Sequence, residues 1–409
     1  MVSRRRPSLF VVGMLVLLPA GLLVPQSADA LGDWQISLVD LLESPLSVYA
    51  TTSIALDTHG SVHMGYCMYN DSVSDSTLVR HASGEIGSWV LATVDRGEGS
   101  GSVLPVSIVV DSADVVHIGY SNLTIGGPQV RYARGEGTSW SIMNVSSGYG
   151  IGAMCVDSQG YVHFCYGVKV GFETALVYST NAGGSWSEVI LDDQGNSMRA
   201  SMAIDSEDKV HISYTWGPQY SVRYATNSGG SWTNEPVDSG RYGSIALDWL
   251  DVPHIIYVVE GEVYGQLKLA TRSGGSWTNV TVDEGPLDIS PSIAIDSSDQ
   301  VHLCYSYTPG DSATLFYAQE SGESWLKSTV EYFETGIPYL GRSSIALDSV
   351  GGIHISYARG QMSDFDSGGG IKYAKNSSFE IPEFDPFEIV LIMLAVTSLM
   401  LLFRNRNSK

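Results

Sequence analysis

Seven histidines recur along this chain, at His63, His117, His163, His211, His254, His302 and His354. Each follows an aspartate by six residues: Asp57, Asp111, Asp157, Asp205, Asp248, Asp296 and Asp348. Imidazole beside carboxylate can bind a divalent metal or move a proton. A metal site needs three or four such groups at one point, whereas a repeat delivers one per copy and spreads them apart. No Cys-x-x-Cys or His-Glu-x-x-His spacing occurs. The expected role of the histidines is therefore packing between repeated units, with hydrogen bonds to backbone. The aspartates are expected to cap their own turns, and no metal or cofactor is implied.

A second group of residues suits binding. Arginine is scarce, yet Arg96, Arg199, Arg241, Arg342 and Arg359 all fall on irregular segments between the repeated stretches, as do Trp216, Tyr220, Tyr242, Tyr307 and Tyr339. Guanidinium forks and aromatic platforms fit a carboxylated or polyhydroxylated ligand such as a glycan. The alternative is that these arginines pair with neighbouring acids, which are plentiful: 44 Asp and Glu stand against 22 Lys and Arg.

The elements that must carry these residues follow from the repeat, which reads roughly Ser-Ile-Ala-Ile-Asp-x-x-Gly-x-Val-His-Ile-x-Tyr. Successive histidines are 43 to 54 residues apart, a period that belongs to propeller blades or helical arrays. The stretches alternate in steps of two and are rich in β-branched residues, which excludes helices. The fourth copy gives strands at 201–205, 210–214, 221–226 and 232–237. The seventh copy lacks its Trp-bearing fourth strand, and residues 32–40 around Trp34 match that missing piece. The chain is therefore expected to be all-β, a seven-bladed β-propeller of four-stranded antiparallel blades, with the N-terminal strand closing the last blade. Turns between first and second and between third and fourth strands are short and regular. The remaining connections vary, and binding belongs on their face.

Two resemblances add to this reading. Asn227-Ser228-Gly229-Gly230-Ser231-Trp232 and Asn181-Ala182-Gly183-Gly184-Ser185-Trp186 resemble the Asp-box, or BNR repeat, of sialidase-type propellers, with Asn in place of Asp. The resemblance implies a folding element on the rim. It also implies a possible enzyme in which Arg199, Arg241 and Arg342 would imitate the arginines that hold a substrate carboxylate. The chain departs from that family in lacking its Arg-Ile-Pro motif and in having seven blades, not six. Near the other end, Ile381-Pro382-Glu383-Phe384, an apolar run at 389–403 and the basic Arg404, Arg406 and Lys409 resemble the PEF-CTERM tails of archaeal surface proteins. That resemblance implies processing by an archaeosortase-like enzyme.

The expected organisation is a removable export signal at 1–30, the propeller at 31–376, a linker with the sorting-like motif at 377–387, a transmembrane segment at 388–404 and a basic cytoplasmic tail at 405–409. A formal charge of −22 argues against nucleic acid as a partner. Cys155 and Cys165 fall on neighbouring strands, where they could pair or stay free. Sequons at Asn70, Asn122, Asn144, Asn279 and Asn376 are compatible with glycosylation of an exported chain. The expected function is that of an exported, membrane-anchored surface module binding glycan, envelope polymer or protein through its variable face. A sialidase-like glycoside hydrolase or polysaccharide lyase is the first alternative, and a purely structural envelope protein the second.

Overall fold

A computed structural model describes residues 33–376 apart from 42–45, 48–50, 71–75, 98–104, 125, 172, 194–198, 262–263, 286–290, 311, 335–337 and 362–368. The segments read as export signal, linker, membrane span and tail lie outside the described residues. Among those described, no helix is long and apolar enough to cross a membrane.

The chain forms seven antiparallel sheets of four strands, two of them extended by the short strands Leu46–Ser47 and Pro338–Leu340. Each sheet is one blade, numbered here from the N-terminal side by its histidine. Blade 4 consists of Ala200–Ile204, Val210–Trp216, Ser221–Thr226 and Thr233–Ser239. In blade 7 the outer strand is Gln35–Leu41, paired with Gly370–Asn376 so that Gln35 faces Lys375. The first piece of chain thus closes the ring.

Among the described residues, the buried apolar side chains form seven clusters, each shared by two adjacent blades. The tryptophans at the outer-strand starts show how the blades interlock. Trp232 packs on Tyr178 of the preceding blade at 4.7 Å, Trp277 on Tyr224 at 5.3 Å and Trp89 on Tyr373 at 5.2 Å. Trp34 continues the series against Tyr317 at 5.4 Å, and its indole N–H reaches Ser328 Oγ at 3.0 Å. Such aromatic contacts are worth about 0.5–1.5 kcal/mol each beyond area burial.

The polar letters of the repeat have separate jobs. The inner-strand serine stitches the ring: Ser53, Ser107 and Ser201 accept the N–H of Ile108, Met154 and Ile245 in the next blade at 3.2 Å. The turn aspartate uses one oxygen for its own turn, as when Asp205 Oδ1 accepts from Glu207 and Lys209 N–H at 2.9 and 2.7 Å. Its other oxygen takes the histidine. His117 Nε2 lies 3.0 Å from Asp111 Oδ2, and Tyr132 donates its O–H to Nδ1 at 2.7 Å. The same Asp, His and Tyr chain occurs in the blades of His163, His211, His302 and His354. The histidine partners are thus side chains and not the backbone groups expected, because the neighbouring third strand presents a phenol at the right register. Burial resists ionisation of Asp111, and the bonds from His117 and the turn amides outweigh it, holding the carboxyl below its ordinary range.

A further device sits in the outer strands. Each carries a β-bulge at an apolar residue, and in six of the seven blades an acid follows, as at Val94-Asp95, Val237-Asp238 and Val282-Asp283. The bulge aims the acid at the next blade, where Asp95 accepts from Tyr120 O–H at 2.7 Å and pairs with Arg131 at 2.7 Å. Asp40 on the closing strand does the same with Tyr66 and Arg80 at 2.7 and 2.9 Å. The junction between blades 2 and 3 alone lacks the acid, with Ser146 in its place and Val177 where most blades carry a cation. Tyr166, 1% exposed, keeps its hydroxyl there without a hydrogen-bond partner.

The four cysteines are free and buried, and burial pushes the Cys67, Cys165 and Cys304 thiols up to about 12. Two sequons are corrected by burial: Asn122 and Asn376 are 3% and 1% exposed, which closes them to an enzyme acting on the folded chain. Asn144 and Asn279 lie exposed on outer strands.

Candidate functional site

The Asp turns and the third-to-fourth turns occupy one end of every blade, hereafter the turn face. The connections from second to third strand and from blade to blade occupy the other, the loop face. Inner strands begin at the loop face, so their first residues ring the mouth of the central channel. A cavity of about 200 Å³ lies there, lined by residues from all seven blades. Its described lining includes Arg199, Arg342 and Tyr242 among serine, threonine and small apolar residues, and contains no Asp, Glu or His.

The connection into blade 5 builds the most distinctive part of this mouth. Gly240, at φ 144°, donates its N–H to Tyr220 carbonyl at 2.8 Å, and a Cβ there would meet Val258 carbonyl at 2.8 Å. Only glycine fits. The chain then turns so tightly that Tyr242 adopts φ 63°, held by its N–H bond to Thr215 Oγ1 at 3.1 Å, and Tyr220 itself sits at φ 52°. Left-handed backbone at a bulky L-residue costs about 1–2 kcal/mol. Two strained tyrosines therefore stand side by side on one face.

Arginines fill the spaces between them. The Arg199 guanidinium lies 4.3 Å from the Tyr242 ring centroid, and Arg241 lies 4.6 Å from Tyr242 and 5.4 Å from Tyr220. Glu260 forms an ion pair with Arg241. The result is a row of alternating cations and rings running from the channel mouth toward the junction of blades 4 and 5.

The other proposed ligand contacts do not converge on this point. Arg96 is exposed at the end of an outer strand. Arg359 lies 4.5 Å over Phe333 and 3.9 Å from Glu331, which is the acid-pairing alternative raised from composition. Tyr307 packs on Tyr305 and Phe316 and donates its O–H to Glu284 carbonyl at 3.1 Å. Trp216 donates its indole N–H to Asp192 at 3.1 Å, and with Arg223 and Asn234 lines a separate groove of about 530 Å³ between blades 3 and 4. Tyr339 lies on the strand Pro338–Leu340, and its side chain is outside the described residues.

Sequence reasoning missed the inter-blade acids and Glu260. The acids had a visible signal in the Val-Asp pairs of the outer strands; Glu260 had none. His59, four residues before His63, also went unremarked. It is largely exposed, 3.2 Å from Asp114, and with Asp57 brings three potential metal ligands close together on the turn face. Asp114 Oδ2 already accepts from Thr58 Oγ1 at 2.8 Å.

No protein-family model matches the sequence, and no curated protein matches it. Solved structures do resemble it. An ulvan lyase of polysaccharide lyase family PL25, bound to -[GlcA(1-4)Rha3S]-, aligns with TM-score 0.57 at 13% identity over 82% of this chain and 94% of its own. Hydrazine synthase from Kuenenia stuttgartiensis aligns with TM-score 0.52 at 10% identity over 79% and 97%. The NanB sialidase from Streptococcus pneumoniae aligns with TM-score 0.44 at 10% identity over 82% and 70%. Likeness at these identities is one of fold, and a polysaccharide lyase and a hydrazine synthase among the matches show how little the fold alone says about chemistry.

Proposed function

We propose that this protein is a carbohydrate-binding propeller whose channel mouth takes an anionic polysaccharide. One observation carries the reading: on a chain of formal charge −22, the described lining of the mouth contains two arginines and a tyrosine but no carboxylate. The Arg199 guanidinium lies 4.3 Å from the Tyr242 ring centroid at this mouth, and a guanidinium fork beside an aromatic platform suits a ligand's carboxylate or sulfate. The strained Tyr242, held between Arg199 and Arg241, offers a flat platform for a sugar ring. The anionic GlcA and Rha3S units bound by the ulvan lyase support the reading at the level of a shared fold.

The test is calorimetric titration of the full chain with a uronate oligosaccharide, a sulfated one and a neutral one. Binding of an anionic oligosaccharide, weakened at least about tenfold by Arg199→Ala or Arg342→Ala, is the expected result. Tyr242→Gly should relieve the left-handed strain, leave stability within about 1 kcal/mol and still lose binding. Binding indifferent to all three variants, or no binding at all, rejects the proposal.

One arrangement favours a lyase as the second reading: an arginine to neutralise a uronate carboxylate stands beside the Tyr242 phenol, a group able to move the adjacent proton. Appearance of the ultraviolet absorbance of an unsaturated uronate would select it. Most glycoside hydrolases use two carboxylates flanking the bond, and sialidases a tyrosine nucleophile with an acid/base carboxylate; the described lining holds no carboxylate for either. The Asn-bearing Gly-Gly-Ser-Trp turns fit the Asp-box reading, since Asn181 and Asn227 Oδ1 accept strand amides at 2.7 and 2.8 Å. We also read the chain as exported and held at the cell surface by residues 388–404, with a PEF-CTERM-like tail. Mass spectrometry of the native C-terminus checks the last point, because an intact Lys409 would reject tail removal.

A further inference from the structure

The residue after each turn aspartate is serine or threonine in six blades and Trp249 in blade 5. The hydroxyl has a purpose there. Thr58, Ser158 and Ser206 each donate it to an aspartate of another blade's turn, at 2.8, 2.6 and 2.6 Å. Trp249 keeps only the amide half of this staple, donating N–H to Asp299 at 2.8 Å. In exchange the molecule gains nothing internally, because Trp249 is 81% exposed and its neighbour Leu250 is 75% exposed. The tip is nonetheless rigid, with Leu250 N–H bonded to Asp248 Oδ1 at 2.9 Å and Asp251 in left-handed backbone at φ 60°. Val350, 77% exposed, stands at the matching turn of blade 7.

The same face is where the chain departs. Asn376 pairs with Ile353, just past the Asp348 turn, so the last described strand ends at the turn face. Twelve residues, 377–388, then separate it from the apolar run at 389–403, a link spanning at most about 40 Å. A bilayer entered by that run lies within reach of both apolar tips. Tryptophan on a rigid tip is suited to the headgroup region, where its ring is half-desolvated and its N–H remains wet.

We propose that the turn face rests on a lipid bilayer through Trp249, Leu250 and Val350, which directs the channel mouth away from the membrane. This inference rests on the C-terminal anchor proposed above and not on the ligand at the mouth. The turn carboxylates and the net charge of −22 specify the lipid, since an anionic surface repels this face.

The buried native thiols permit a clean test, as a cysteine introduced on the surface is the reactive one. Full-length Leu250→Cys, Val350→Cys, Ala113→Cys and Gln219→Cys proteins carry an environment-sensitive fluorophore and are reconstituted into phosphatidylcholine vesicles. Ala113 is the blade 2 counterpart of Leu250, and Gln219 lies on the loop face. The expected result is a blue shift and a several-fold loss of quenching by aqueous iodide at positions 250 and 350, none at 219, and loss of the protection when anionic lipid is added. Equal quenching at 250 and 219 in protein that floats with the vesicles overturns the proposal. Failure to float overturns it through the anchor, while glycan binding at the mouth is scored separately. Protection at 250 without vesicles, rising with protein concentration, overturns it in favour of self-association.

Discussion

The histidines show how one residue type is tuned by its surroundings. In five blades a phenol donates to Nδ1 and an aspartate accepts from Nε2–H, which fixes a neutral tautomer by its partners. Blade 1 replaces the phenol with His81, 3.1 Å from His63 Nδ1 and 1% exposed. Burial, then the neighbouring His63, lowers its pKa to about 4. Burial lowers His117, His163, His302 and His354 in the same direction, against the pull of their aspartates. A base whose folded pKa lies below its unfolded value near 6.5 is neutral in the fold, and the unfolded chain takes the proton first. The stabilisation is therefore whole above about pH 6.5 and is lost as pH falls toward 4. His81→Tyr installs the phenol of the other blades and should remove about 2 kcal/mol of the stability lost between pH 7 and 5. Denaturant midpoints of both proteins at the two pH values check this; identical losses would sink it. The lowered basicity of these repeat histidines belongs to packing, since the channel-mouth residues are elsewhere.

At the scale of elements, the internal repeat acts as its own control. Where Phe316 replaces the third-strand cation, Lys327 on the adjoining strand reaches Asp283 at 2.7 Å instead. Where the acid itself is missing, at Ser146, the cation is missing too, and Val177 buries apolar surface in its place. A buried ion lacking its partner is strongly destabilising, so the two losses belong together. Val177→Arg alone should therefore destabilise by about 2–4 kcal/mol, and Ser146→Asp with Val177→Arg should recover much of this while giving Tyr166 an acceptor. A double-mutant cycle from thermal or denaturant unfolding measures the coupling, expected to be favourable by about 1 kcal/mol or more. Additive effects would show that this junction is not the counterpart of the other six.

For the whole molecule, closure is the decisive property. A seven-bladed ring without its last outer strand would expose the hydrogen-bonding edge of Gly370–Asn376 and uncover Tyr317, inviting association between chains. The strand Gln35–Leu41 covers that edge, and Asp40 locks it to blade 1 through Tyr66 and Arg80. Deletion of residues 33–41 should shift the protein to larger oligomers or aggregates than the intact chain forms, by size-exclusion chromatography with light scattering. A peptide of the same residues, added during refolding, should restore the size distribution of the intact chain. Full stability and an unchanged elution volume after deletion would contradict this account of closure.

Period, alternation and the orphan Trp34 were enough to read blade number, strand number and the mode of closure from the chain, because each is a local pattern repeated until chance is excluded. The capping aspartates were legible for the same reason, with Asp205 Oδ1 accepting the Glu207 and Lys209 amides at 2.9 and 2.7 Å. The candidate site was legible only as a roster. Arg199, Arg241, Tyr242 and Tyr220 were visible as scarce residues on variable segments, and so were Arg96, Arg359, Tyr307 and Trp216, which the fold sends elsewhere. Which of them share a mouth depends on where each connection lands on the ring, on the bend permitted at Gly240, and on which acids the outer-strand bulges aim across a junction. Those are relations between residues far apart in the chain, and only the closed tertiary structure sets them.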